Sequence, residues 1–344
     1  MAAKARAVLL VKIESCFAIV LDDRPKIDRY YKDTRMKIAF FDDWRLGVLK
    51  GLDRIVDVSA IASGGEKEQD LINAVIGNWT ALRGQVLECV ENNAGLPLSS
   101  IRLRAPLPRP MNIACMAVNY MEDGTRKEPA PINTFIKSPM AIIGPGEHMV
   151  LPDIPSTVFE GEAEIALVIG KTATRVPAAD AAEYIFGYLN FIDGSARGVQ
   201  PAAQSFYQMK SRDTFAPIGP WIVTADEIPD PQNLQVRLWN NGVLKQDYNT
   251  SDMAHNIHRC VEFVSSVHTL APGDIIALGT NHRGLHAFQD GDQIELEVEG
   301  LGRLAFGVSD PLQRTWERET RLERQQSGLD PIAPQTGGKY AKRT

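Results

Sequence analysis

The chain has 344 residues, 44% of them apolar and 23% charged, enough to bury a sizeable core as one large domain or two ordinary ones. Its formal net charge of −6 makes nucleic acid or an acidic membrane surface an unfavourable partner. No uncharged apolar run reaches the ~18 residues that a membrane span needs. Lys12 and Glu14 interrupt the apolar stretch 7–21, so no signal peptide is expected. Cys16, Cys89, Cys115 and Cys260 form no CxxC pair, which points to reduced thiols and a cytoplasmic protein.

Residues 1–35 read as an N-terminal extension, an apolar run followed by Asp22-Asp23-Arg24-Pro25 with no turn chemistry joining it to a fold. Met36 opens a regular pattern. Segments 37–41, 45–49 and 54–58 read as strands, with Gly51 in a turn. Leu71, Val75, Ile76, Trp79, Leu82, Val86 and Leu87 recur at threes and fours, which predicts one helix over 69–92. Residues 36–105 thus form a small α+β domain, closed by Pro106-Leu107-Pro108-Arg109-Pro110. From 106 to 310, short apolar strands alternate with Gly and Pro. Helices are expected at 178–184 and 253–267, and a tight hairpin at Asn240-Asn241-Gly242. The fold class is α+β and β-rich, not an alternating β-α-β fold. Residues 311–344 read as a polar tail carrying a short charged helix near 314–325. No GxGxxG, Walker A, GxSxG or HExxH motif is present.

One stretch carries concentrated chemistry. In Phe159-Glu160-Gly161-Glu162-Ala163-Glu164-Ile165, three acids alternate and then run into an apolar strand. Residues i and i+2 of a strand share a face, so Glu162 and Glu164 present paired carboxylates. Burying such a pair is costly unless a cation lies between them, and hard oxygen donors suit Mg²⁺ or Mn²⁺ better than Zn²⁺. Asp193 ends a second apolar run, 29 residues after Glu164, and opens Asp193-Gly194-Ser195-Ala196-Arg197-Gly198-Val199-Gln200. There Arg197 has the fork that grips a carboxylate and Gln200 can orient a carbonyl. Lys210 can hold negative charge on an enolate oxygen. Gly279-Thr280 offers a backbone N–H and a hydroxyl at a strand end.

Taken in order, Asn119-Tyr120, Phe135-Ile136-Lys137, Glu162-x-Glu164, Asp193 with Arg197 and Gln200, Lys210-Ser211, Gly219-Pro220, Pro272-Gly273-Asp274, Gly279-Thr280 and Asp290-Gly291-Asp292 resemble the fumarylacetoacetate hydrolase family over about residues 105–310. The resemblance implies a mixed β-roll catalytic domain over 106–310, a divalent cation (Mg²⁺ or Mn²⁺), a 2-oxo acid substrate and a homodimer. It makes Glu162, Glu164 and Asp193 the metal ligands. It places Tyr120, Arg197, Gln200, Gly279 and Thr280 around the substrate, with Lys210 catalytic. The activity it implies is hydrolysis of a carbon–carbon bond in a 1,3-diketo acid. Decarboxylation or tautomerisation of a 2-oxo acid at the same site is the alternative, and a degenerate binding protein the second. Hydrolytic members carry a His three residues after the Tyr of the Asn-Tyr pair, and a Glu three residues further on. Here those positions are Asp123 and Arg126. The candidates for the missing base are Asp123, Glu122 and His282.

Overall fold

The computed structural model describes residues 36–62, 65, 67–201 and 206–341, so the extension expected over 1–35 lies outside the described residues. Among them, twelve strands form one mixed sheet. Its main order is Leu96–Pro97, Arg54–Asp57, Arg45–Lys50, Lys37–Phe41, Ala216–Thr224, Ile185–Arg197, Val158–Ile169, Ile275–Ala277, Ile113–Met116 and Thr134–Ile136. Strands from 36–105 therefore join the sheet of segment 106–310, with Lys37 opposite Val223 and Ile38 opposite Ile222. A second sheet runs Val243–Asn249, Gln235–Asn240, Gln293–Val298, Arg303–Ser309, His148–Val150. The expected hairpin closes it, with Asn240 opposite Val243 and both Asn241 and Gly242 at positive φ. No helix of the described residues is long and apolar enough to cross a membrane.

The two central strands are longer than their apolar cores advertise. Val158–Ile169 is buried along all twelve residues, acids included, and pairs antiparallel with Ile185–Arg197. Gly161 and Gly194 face each other across this pair. A Cβ on Gly161 would run into the Phe288 ring, and one on Gly194 would lie 2.8 Å from the Phe215 carbonyl oxygen. Only glycine lets the layers close at that level.

Three sequence expectations are corrected. The helix expected over 69–92 is two, Glu68–Gly77 and Trp79–Asn92. Gly77 is a weak helix former, and the Asn78 side chain donates back to the Ala74 carbonyl at 2.8 Å. The 253–267 helix starts at Ile257, because the Asn256 side chain accepts from the Arg259 N–H and caps it there. Ala178–Tyr184 is a tighter 3₁₀ segment.

The polar tail is also packed structure. Arg314 is 1% exposed and forks onto Asp310 with two 2.9 Å bonds. Its guanidinium lies 4.7 Å from the centre of the Phe159 ring, and Trp316 meets that ring edge-on. The Trp316 indole N–H donates to the Thr157 carbonyl at 2.8 Å. A capping box, Thr320 with Glu323, then starts the helix Arg321–Gln326. This segment is thereby locked to the start of the acidic strand.

Candidate metal centre and active site

The register of the central strand pair builds the site. Glu162 lies directly opposite Asp193, and Glu164 is the next residue on the same face. One carboxylate oxygen from each of the three lies within 4.8 Å of the others, and all three side chains are buried.

Two lysines and one arginine hold most of this charge. Lys210 Nζ donates to Glu162 Oε1 at 2.7 Å and to Asp193 Oδ2 at 2.6 Å. Lys137 Nζ donates to Asp193 Oδ1 at 2.6 Å, to the Gly194 carbonyl at 3.1 Å and to the Lys210 carbonyl. Arg197 donates through Nε to Glu160 at 2.8 Å and through its guanidinium to Glu162. Burial alone would raise the Glu162 carboxyl, but Lys210 and Arg197 outweigh it and hold it well below the ordinary carboxylate range. Lys210 is raised for the reciprocal reason. Burial opposes its charge, while Asp193 and Glu162 more than offset that.

Glu164 stands apart. Among the described residues its one hydrogen bond comes from the Gly279 backbone N–H at 2.8 Å. Burial, then Asp193 and Glu162, push its carboxyl well above the ordinary range. A buried acid with so little compensation is what an added cation relieves. Three buried carboxylates are the donor set of a hard dication, so these residues fit Mg²⁺ or Mn²⁺.

The expected site residues divide as follows. Tyr120 is fully buried, edge-on to Tyr248 with ring centres 5.0 Å apart, and its hydroxyl has no hydrogen-bond partner among the described residues. Gly279 serves Glu164 rather than standing free for a substrate. Thr280 is tied inward, its hydroxyl receiving the Gln246 amide at 2.9 Å and donating to Tyr248 at 3.3 Å. Gln200 is exposed and lies past Gly198, whose positive φ turns the chain at the end of the strand. The Asp123 side chain is 50% exposed and paired with Arg283 at 2.8 Å and Asn281 at 3.2 Å, so it ties two loops together. Glu122 and His282 form one unit instead, His282 Nδ1 lying 2.6 Å from Glu122 Oε1. Glu160 is 2% exposed and clamped between Arg197 and Arg321.

Other residues escaped sequence reasoning. Lys137 was visible only as the lysine that follows the apolar pair Phe135-Ile136. Gln246 and Tyr248, from the second sheet, bond the Ala163 N–H and carbonyl. They satisfy backbone groups of the acidic strand that its neighbours leave open. Arg321 reaches Glu160 from 161 positions away, and nothing local in the sequence announces it.

A model of the fumarylacetoacetate hydrolase C-terminal domain matches residues 112–309. The chain belongs to the fumarylacetoacetate hydrolase family. It is 33% identical to the maleylpyruvate hydrolase of Aquipseudomonas alcaligenes over 291 residues, 79% of this chain and 99% of that protein. It is 35% identical to the oxaloacetate tautomerase YisK of Bacillus subtilis over 220 residues, 60% of this chain and 73% of that one. The crystal structure of maleylpyruvate hydrolase from Sphingobium sp. SYK-6, in complex with manganese (II) and pyruvate, superposes with a TM-score of 0.73 at 35% identity, covering 80% of this chain and 99% of that one.

Proposed function

We propose that this chain is a divalent-metal-dependent hydrolase that cleaves an acylpyruvate, a 1,3-diketo acid, into pyruvate and a carboxylic acid. The observation that carries this reading is the buried Glu162–Glu164–Asp193 cluster with Lys210 set into it. The likeness to maleylpyruvate hydrolases over nearly their whole length supports it.

Glu162, Glu164 and Asp193 would hold the cation, which supplies Lewis-acid charge to the oxygens of the 2-oxo acid. Lys137 and Lys210 fix Asp193 from both of its oxygens, so that ligand needs no reorganisation when substrate enters. Lys210 also sets a positive charge where the pyruvyl half takes up electrons on bond breaking. Arg197, 18% exposed, orients Glu162 and is the cluster's most accessible cation, placed to meet a substrate carboxylate.

A second reading, tautomerisation or decarboxylation of oxaloacetate, rests on Asp123 and Arg126. They occupy the positions where hydrolytic relatives are expected to carry their dyad, and Asp123 is bound into a loop contact. Incubation with acylpyruvates and with oxaloacetate, Mn²⁺ present, separates the two. Pyruvate plus an equimolar acid is the expected outcome. Turnover of oxaloacetate alone, as CO₂ or as enol loss, would replace this reading with the second.

A further inference from the structure

The loops that carry Glu122 and His282 are held in an unusual shape. Val118, Glu122 and Asp123 all sit at positive φ, +55°, +57° and +53°. Left-handed backbone at non-glycine residues persists only where its surroundings impose it, and such residues gather at functional sites. Here the constraints are visible. The Asn119 side chain donates to the Leu278 carbonyl at 2.9 Å, binding the first loop to the start of the second. The Met121 and Asp123 N–H groups bond Asp252, and Asn281 and Arg283 bond Asp123. Glu122 is thereby turned onto His282. It accepts the His282 backbone N–H at 2.9 Å through one oxygen and faces Nδ1 at 2.6 Å through the other. Arg126 stands 4.0 Å from the same carboxylate.

An ionised carboxylate only accepts hydrogen bonds, so Nδ1 donates here, and in the neutral imidazole this leaves the lone pair on Nε2. Among the described residues nothing bonds Nε2. The imidazole is 25% exposed, while Glu122 behind it is 8% exposed. The second loop bonds Glu164 through Gly279, three residues before His282.

We infer that Glu122 and His282 are the proton-transfer dyad of this site, assembled from two other positions than those the family resemblance designates. The inference rests on the hydrolase reading. His282 Nε2 takes a proton from water as the water oxygen bonds the distal carbonyl carbon of the acylpyruvate. The bond from that carbon to the methylene breaks, and its electron pair stays with the pyruvyl half. That half takes the proton from Nε2 and leaves as pyruvate; the other half leaves as a carboxylic acid. Glu122 is a positioning residue that fixes the tautomer and steadies the imidazolium.

The test uses His282→Gln, Glu122→Gln and Glu122→Asp in the full chain with Mn²⁺. His282→Gln should lower kcat on an acylpyruvate by about 10²–10⁴-fold, with KM and bound Mn²⁺ near wild type. Glu122→Gln should lose about 10–100-fold, partly restored in Glu122→Asp. A low-field Nδ1–H proton resonance should appear in the ¹⁵N-histidine NMR spectrum of the wild type and vanish in Glu122→Gln. Wild-type kcat in His282→Gln, or absence of that resonance, overturns the dyad. If the wild type hydrolyses no acylpyruvate, the hydrolase reading falls separately. Exchange of pyruvate methyl protons in D₂O then decides the dyad: loss in His282→Gln keeps it, and exchange that survives there or is missing in the wild type overturns it.

Discussion

The two sides of the site are made of different material. The carboxylates stand on two paired strands, where register places Glu162 against Asp193 and all three acids are buried. The Glu122–His282 pair stands on two loops 160 positions apart, part-exposed and held by a lattice of Asn and Asp side chains. Strands suit cation ligands, because a multidentate site tolerates little error in position. Loops suit a group that must meet water and change protonation during turnover. Substitutions on the two sides should therefore differ in kind.

Asp193→Ala has the largest expected effect. It removes a proposed cation ligand and leaves Lys137 and Lys210 buried with a lost partner. Breaking a buried pair on one side costs about 3–5 kcal/mol, so denaturant unfolding should show that loss alongside abolished turnover. His282→Gln should differ by more than it resembles. The catalytic loss inferred above should come with about 1 kcal/mol or less of stability, since a part-exposed hydrogen bond is all that is removed. Equal destabilisation of the two variants would break the distinction between the sides.

Arg321→Ala sharpens it further. Arg321 bonds both oxygens of Glu160, at 3.0 and 2.5 Å, and Glu160 in turn holds Arg197. Loss of such an outer partner should weaken Mn²⁺ binding or kcat/KM by about 10–100-fold, read by titration calorimetry and kinetics. A smaller effect concerns pH. His286 is buried against Asn240, and burial, followed by Lys245 and Arg318, lowers its pKa to about 3. The folded state binds its proton less well than the unfolded chain. The stabilisation is therefore complete above about pH 6.5 and is lost as pH falls toward 3. Between pH 6.5 and 5 this group alone should remove about 2 kcal/mol, and His286→Gln should flatten that part of the stability curve.

The same contrast explains what could be read from the residues alone. Period-two alternation exposed Glu162 and Glu164, and Asp193 was legible as an acid closing an apolar run. Strand geometry is local, so spacing carries it. The family resemblance rested on those same landmarks. Contacts between distant segments leave no such trace. Glu122 and His282 were each visible, but their pairing depends on loop shapes set by positive φ values. Arg321 lay in a segment whose polar composition read as a tail, although Arg314 and Trp316 pin it against Phe159. The break at Asn78 was hidden because the apolar spacing runs through it unaltered. Gln200 follows Arg197 closely in sequence, but the strand ends between them.

The most direct test of the cation site is Mn²⁺ binding to Glu164→Ala, followed by equilibrium dialysis or by the loss of the free-ion electron paramagnetic resonance signal. Glu164 is the proposed ligand that, among the described residues, has no cationic partner of its own, so its removal spares the lysine contacts that hold Glu162 and Asp193. The expected result is a folded protein that no longer retains Mn²⁺ at concentrations that saturate the wild type. Retention of Mn²⁺ at wild-type stoichiometry and affinity would contradict the assignment of Glu162, Glu164 and Asp193 as its ligands.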